Sequence, residues 1–310
     1  VSTASIANNQ PAATLSARLR LAAGDIKLSH SIFAMPFALL GAFLARTPDA
    51  PWPRFAWQLL LVVACMVLAR SWAMLINRLA DARLDADNPR TKGRAIASGK
   101  LTARDGRVLA GACALGFVGL CSIFWFAFAN FWPVALSVPV LAWLAFYSFA
   151  KRFTLLCHVL LGTALACSPI AAAIAIDPHA LTRTPALYWL AGMVTLWVAG
   201  FDIIYALQDA DHDARVGLHS IPSKLGKGRA VWISRAMHAL ALACLIMAGM
   251  SDARLGPIWF GACAIVALLL IGEHLVLIRR GLAGLPMAFF TLNGVVSCVV
   301  GTLGIIDTLV

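Results

Sequence analysis

Apolar runs of about 20 residues, the length of helix needed to cross the hydrocarbon core of a bilayer, recur along the whole chain. Charged residues, prolines and glycines bound nine of them, at 31–45, 56–80, 107–129, 131–150, 154–176, 186–208, 230–250, 257–278 and 286–306. The first is short and is expected to begin a turn earlier, near Lys27. None shows the apolar/polar alternation of a transmembrane barrel strand. A helix satisfies its own backbone groups in lipid. The expected fold class is therefore all-α, a polytopic transmembrane bundle of nine helices. Composition agrees: 61% of residues are hydrophobic and 13% charged, against roughly 45–50% and 25% in soluble domains.

The net charge of +11 raises the question of nucleic acid, and its distribution answers it. Counting an N-terminal arm and the loops after runs 2, 4, 6 and 8, one side holds 18 of the Lys and Arg residues. The loops after runs 1, 3, 5 and 7 hold 4. This is the positive-inside pattern. It predicts a cytoplasmic N-terminus, an outside C-terminus, loops suited to an anionic inner leaflet, and no nucleic-acid partner. Residues 1–26 are polar and lack the basic-then-apolar order of a cleavable signal. They are expected to form a flexible cytoplasmic arm before a single transmembrane domain, 27–310. All eight cysteines fall within the apolar runs, without a CxxC pair, so neither disulfides nor thiolate metal sites are expected.

The chain has only 14 acidic residues, and eight of them gather at two places. Asp81, Asp85, Asp87 and Asp105 lie in or beside one polar loop; Asp202, Asp209, Asp211 and Asp213 lie in or just before another. The first place reads Asn77-x-x-x-Asp81-x-x-x-Asp85 and the second Tyr205-x-x-x-Asp209-x-x-x-Asp213. Residues four apart share a helix face. Hard oxygen donors in that pattern suit Mg²⁺, which is held by one or two carboxylates together with phosphate oxygens. The candidate metal ligands are Asn77, Asp81, Asp85, Asp209 and Asp213. The bland alternative is a pair of solvated helix ends. Against it, carboxylates at the C-terminal end of a helix oppose the macrodipole, and that conflict occurs twice. Arg90, Lys92, Arg94, Lys151, Arg152, Arg215 and Lys224 stand near these motifs, where they either clamp a diphosphate or simply set topology. Arg70 lies inside a run, two turns before Asn77. An intramembrane arginine is a functional candidate by default; it can meet a substrate carboxylate, a helix carbonyl or Asp202. Pro36, Pro133, Pro139 and Pro169 are expected to kink their helices.

At these residues the chain resembles the UbiA superfamily of membrane prenyltransferases. Asn77-Arg78-x-x-Asp81-x-x-x-Asp85-x-x-Asn88-x-Arg90-Thr91-x-x-Arg94 resembles that family's first signature. Tyr205-x-x-x-Asp209-x-Asp211-x-Asp213 resembles its second, and Tyr147-Ser148-Phe149-Ala150-Lys151 a third. The resemblance implies catalytic roles for Asp81, Asp85, Asp209 and Asp213 through bound Mg²⁺. It implies contacts to a polyprenyl diphosphate from Arg94, Tyr147 and Lys151; Lys27, Arg78, Arg90 and Tyr205 are further candidates for that role, and Arg70 and His30 are candidates for contact with an aromatic carboxylic acid. The implied activity is transfer of the prenyl chain to that ring at the cytoplasmic face of a cell inner membrane, with 4-hydroxybenzoate as acceptor. Arg78, the segment Lys27–Ser31 and the run Asn88–Arg94 look more like a sister branch that prenylates 1,4-dihydroxy-6-naphthoate, which stays open as the alternative acceptor. A metal-regulated transporter is the alternative of another class; it would place its charges nearer the bilayer midplane.

Overall fold

The computed structural model describes residues 20, 21, 24 and 33–310, which form helices and connecting turns without a strand. The order is α1 (Met35–Ala45), α2 (Trp52–Asp87), α3 (Ala103–Phe128), α4 (Trp132–Ala150) and α5 (Cys157–Ile176), then a one-turn helix, α6 (Ala180–Arg183). Helix α7 (Ala186–Ala206) is followed by two short helices, α8 (Ala210–Arg215) and α9 (Ile221–Leu225). Three more complete the chain: α10 (Lys227–Met250), α11 (Pro257–Arg280) and α12 (Asn293–Asp307). A 3₁₀ turn (Gly281–Gly284) and a π-helical stretch (Met287–Leu292) separate the last two. Eight segments are long and apolar enough to cross a membrane, and α1 is a shorter apolar helix. Together they occupy the nine expected runs. The expected start near Lys27 lies outside the described residues, as does nearly all of the expected arm.

The two aspartate motifs are built differently. Helix α2 runs unbroken for 36 residues, about 54 Å at 1.5 Å per residue, against a hydrocarbon core of roughly 30 Å. Residues 77–87 contain only Asn, Arg, Leu, Ala and Asp; with neither Gly nor Pro among them, nothing interrupts the helix. Asn88-Pro89 then stops it, because a residue before proline disfavours the helical conformation. The second motif is not the end of a membrane helix. Helix α7 stops at Ala206, Asp209 occupies the N-cap of α8, and Asp211 and Asp213 sit in the first turn of α8. The expectation that both motifs oppose a helix dipole is therefore corrected. It holds for Asp81 and Asp85, whereas Asp211 and Asp213 stand where the dipole favours them.

The proline expectation divides as well. Pro36 and Pro133 fall in the first turns of α1 and α4, where no N–H is required, so they start helices rather than kink them. Pro139 and Pro169 lie inside α4 and α5, where each removes a backbone hydrogen bond.

Helix α7 is the hub. Leu187, Leu190, Met193, Val194, Trp197 and Ile203 are fully buried, which explains its all-round apolar sequence. It packs most extensively against α5 and α10. Gly162 permits the α5 contact: a Cβ there would lie 2.2 Å from the Thr195 carbonyl oxygen. Beside α7, Asn293 organises a buried polar cluster. Its Nδ2 donates to Glu273 Oε1 (3.2 Å) and to the Ala288 carbonyl (3.0 Å), and its Oδ1 accepts from Trp197 Nε1 (2.6 Å). These bonds anchor the π-helical stretch, a form that often marks functional sites. They set Phe289 against Tyr205, with ring centroids 4.2 Å apart.

Candidate active site

A cavity of about 990 Å³ lies among α2, α3, α4, α5 and α7. Its mouth carries Asn77, Arg78, Arg90, Arg94, Lys151, Tyr205, Asp209 and Asp213, so residues from both motifs and their basic neighbours meet at one end of the bundle. Its depth is apolar, walled by Val62, Cys65, Phe117, Cys121 and Phe124 among others.

The carboxylates at the mouth are held by protein cations. Asp81 is 1% exposed; it accepts from Lys151 Nζ at 2.6 Å and from Arg152 NH2 at 3.0 Å. Asp85 takes Arg94 NH1 on both oxygens at 2.7 Å. Asp209 pairs with Arg90 NH2 and also accepts from Arg90 Nε at 3.0 Å and Asn88 Nδ2 at 3.1 Å. Arg90 NH1 reaches the Tyr205 hydroxyl at 3.1 Å. The segment Asn88–Arg94 thus ties the end of α2 to the second motif. Thr91 Oγ1 bonds the Asp85 carbonyl at 3.1 Å, and Asn88 Oδ1 accepts from the Arg90 N–H at 3.0 Å. Burial works against the Arg90 charge, yet the Asp209 bond and the neighbouring Tyr205 and Asp85 carry its pKa above the ordinary value. Among the described residues Asp213 has no such cation bound to it. Burial, followed by the charge of Asp209, raises its pKa despite Ser220, Lys151 and His212.

Two candidate metal ligands, Asp81 and Asp85, are therefore turned behind Lys151, Arg152 and Arg94, whereas Asn77, Asp209 and Asp213 line the cavity. Among the described residues no three carboxylate, histidine or cysteine side chains stand close enough to share one ion. The donor chemistry nonetheless fits a hard cation bridged by a diphosphate: oxygen ligands only, from two facing elements, with no soft ligand among them. Lys151, Arg152, Arg90 and Arg94 keep between a quarter and a third of their side-chain surface exposed.

Arg78 donates to Asn77 Oδ1 at 2.9 Å. Tyr147 lies deeper, beside Arg70. Arg70 lines the cavity two turns below Asn77, and its buried Nε has no hydrogen-bond partner among the described residues. Its suggested partner Asp202 is bonded instead to His158, a cavity residue that no motif marks. The one available signal was an ionisable side chain inside an apolar run. Lys27 and His30 lie outside the described residues.

The model of the UbiA prenyltransferase family matches residues 34–295. The chain belongs to the UbiA prenyltransferase family. It is an aromatic prenyltransferase and a multi-pass membrane protein. A 4-hydroxybenzoate octaprenyltransferase of Nitrosomonas europaea is 32% identical over 254 residues, 81% of this chain and 82% of that protein. One of Hahella chejuensis is 30% identical over 84% of this chain and 83% of its own length. Among solved structures, the apo form of a UbiA homologue from Aeropyrum pernix K1 superposes with a TM-score of 0.78 at 33% identity, covering 91% of this chain and 99% of that one. A homologue from Archaeoglobus fulgidus bound to GPP and Mg²⁺ shares the fold at 18% identity, with a TM-score of 0.67 over 94% of this chain and 99% of its own.

Proposed function

We propose that residues 27–310 act as one unit that transfers a polyprenyl group from its diphosphate to 4-hydroxybenzoate, at the cytoplasmic face of a cell inner membrane. The observation that carries this reading is a single cavity joining residues of both aspartate motifs at its mouth to an arginine two turns inside, Arg70, whose buried Nε has no hydrogen-bond partner among the described residues. The names of the bacterial relatives support the benzoate acceptor. The positive-inside distribution of Lys and Arg supports the orientation.

In this reading Asn77, Asp81, Asp85, Asp209 and Asp213 would hold Mg²⁺, and the bound ion would supply charge stabilisation for the leaving diphosphate. Arg90, Arg94 and Lys151 turn from their carboxylates to the outer diphosphate oxygens, with Arg78 and Tyr205 beside them. Guanidinium groups suit bidentate contact there. Arg70 takes the acceptor carboxylate, and Tyr147 flanks it. The prenyl tail lies along the apolar wall, where exclusion of water protects the allylic cation from capture by solvent.

The test is transfer of a radiolabelled polyprenyl diphosphate by purified protein with and without Mg²⁺. Acceptors offered in parallel are 4-hydroxybenzoate, 1,4-dihydroxy-6-naphthoate and homogentisate. Transfer to 4-hydroxybenzoate that requires Mg²⁺ is expected. Asp81→Ala and Asp209→Ala are each expected to lower it by about 10²-fold or more. Full activity in either variant sinks the catalytic assignment, and preference for the naphthoate reassigns the acceptor.

A further inference from the structure

Trp197, Phe201 and Tyr205 follow one another at a spacing of four within α7, so they share one face of that helix. Phe289 and Asn293 are also four apart, and the two series meet rung by rung. Phe289 lies 5.2 Å from Phe201 and 4.2 Å from Tyr205 between ring centroids. Asn293 meets the rung below, where its Oδ1 accepts from Trp197 Nε1 at 2.6 Å. The π-helical stretch and the start of α12 are thus docked on α7 at two levels, one apolar and one polar.

The upper level reaches the mouth of the cavity. Tyr205 stands in the last turn of α7, and both it and Phe289 line the cavity. The Tyr205 hydroxyl accepts from Arg90 NH1 at 3.1 Å, and the Arg90 guanidinium carbon lies 5.4 Å from the Tyr205 ring centroid, within cation–π range. Arg90 in turn holds Asp209 through NH2 and Nε. Arg90 belongs to the turn after α2, and Asp209 is the N-cap of the six-residue α8. Neither sits inside a long helix, so their placement depends on side-chain contacts such as the one with Tyr205.

The lower level is specified by one carboxamide. Trp197 Nε1 can only donate, which turns Asn293 Oδ1 toward it and leaves Nδ2 to donate. Nδ2 bonds Glu273 Oε1 at 3.2 Å and the Ala288 carbonyl at 3.0 Å. That carbonyl belongs to the peptide unit leading into Phe289, so the bond fixes the plane from which the Phe289 ring projects. Asn293, Trp197 and Ala288 are all 0% exposed. An aliphatic residue at 293 would offer neither donor nor acceptor, and an ionised carboxylate no donor. We propose that Asn293 is a positioning residue for the diphosphate end of the site. By holding the π-helical stretch to Trp197 it seats Phe289 on Tyr205, and Tyr205 thereby aims Arg90 and Asp209. This rests on the transferase reading above.

The experiment compares Asn293→Ala, Phe289→Leu and Arg90→Gln with the parent protein in detergent, each of the first two also combined with Arg90→Gln. Calorimetry reads binding of inorganic pyrophosphate in the presence of Mg²⁺, and transfer reads KM for prenyl diphosphate and for 4-hydroxybenzoate. Asn293→Ala and Phe289→Leu are each expected to weaken pyrophosphate binding, and to raise KM for prenyl diphosphate, by about three- to tenfold. KM for 4-hydroxybenzoate is expected to stay near parental. Either change added to Arg90→Gln is expected to cost little beyond Arg90→Gln alone, because residues acting through one group are not additive. Phe289→Leu leaves the bonds of Asn293 in place, so it decides the matter where Asn293→Ala does not fold. Losses that add in full to that of Arg90→Gln overturn the proposal, since they place the effect on a route that bypasses Arg90. Unchanged pyrophosphate binding in Phe289→Leu overturns it too, as does an equal rise in KM for both substrates, the mark of a generally loosened bundle. A parent protein that binds pyrophosphate but transfers nothing counts instead against the transferase reading, while pyrophosphate binding alone still reports whether Phe289 and Asn293 act through Arg90.

Discussion

Substitution of Gly162 by alanine isolates the contact on which the inner layer of the site depends. A Cβ at Gly162 would lie 2.2 Å from the Thr195 carbonyl oxygen, 2.9 Å from its carbonyl carbon and 3.0 Å from its Cα. All three are backbone atoms of the fully packed hub helix, so no side chain can swing aside. Restoring an ordinary contact requires α5 and α7 to separate by about 1 Å. Overpacking of this kind costs about 1–3 kcal/mol. Replacing a helical glycine by alanine recovers roughly 1 kcal/mol, which leaves a net loss of up to about 2 kcal/mol. Gly111→Ala supplies the control: it is also helical, and a Cβ there meets nothing within 4 Å, so it keeps the gain without the clash. Thermal unfolding of the two variants in the same detergent should therefore move in opposite directions. The separation also has a chemical readout. His158 lies one turn before Gly162 on α5 and Asp202 two turns after Thr195 on α7, so moving the helices apart stretches the 2.7 Å bond between them. Transfer should fall in Gly162→Ala and persist in Gly111→Ala. A Gly162→Ala protein as stable and as active as Gly111→Ala would refute the packing argument.

Three further outcomes follow from the mouth of the cavity. Arg90→Gln removes two bonds to Asp209 and one to Tyr205. Calorimetry should show weaker binding of inorganic pyrophosphate, by about tenfold or more, together with tighter binding of Mg²⁺ added alone. Asp213→Asn should raise the melting temperature of the metal-free protein at neutral pH. A carboxyl whose folded pKa is raised contributes stability fully only below its unfolded value, and that contribution is lost as pH rises through the folded one. For Asp213 the cause of the raised value is burial and then Asp209, so the advantage of the asparagine should vanish on acidification below the ordinary carboxylate range. Removal of Mg²⁺ with a chelator should abolish transfer reversibly and leave the melting temperature unchanged, because Lys151, Arg152, Arg94 and Arg90 already neutralise the carboxylates; a large loss of stability would contradict that compensation.

Much of this architecture was legible in the chain because lipid imposes simple rules. An uninterrupted apolar run has to be a helix, and clustered acids have to lie at its ends, so the bundle and the meeting of the two motifs could be anticipated. The break between Ala206 and Ala210 could not. Leu207, Gln208 and Asp209 include neither Gly nor Pro, and Leu207 is buried there against Ile221 and Leu285, a contact between distant parts of the chain. Pairing was equally hidden. Asp81 with Lys151 and Arg152 joins residues about 70 positions apart in sequence, which no local pattern encodes. His158 belongs to the same class: its contacts with Asp202 and the Ile221 N–H join it to residues far from it in the chain. Glu273 and His238, buried within the membrane helices, also left no periodic signature.

The unbroken course of α2 has a further consequence. Because one rigid helix carries both Arg70 and the Asn77–Asp85 motif, the separation of the two is fixed by backbone geometry alone. On the proposed roles the helix serves as a gauge: the acid group of one substrate and the leaving group of the other have to fit a span of two turns on one face. Inserting a single residue between Arg70 and Asn77 would turn one mark on that gauge by about 100° relative to the other, whereas the same insertion beyond Gly217, in the loop before α9, would leave the gauge as it was. On that reading acceptor size is set by the register of a helix.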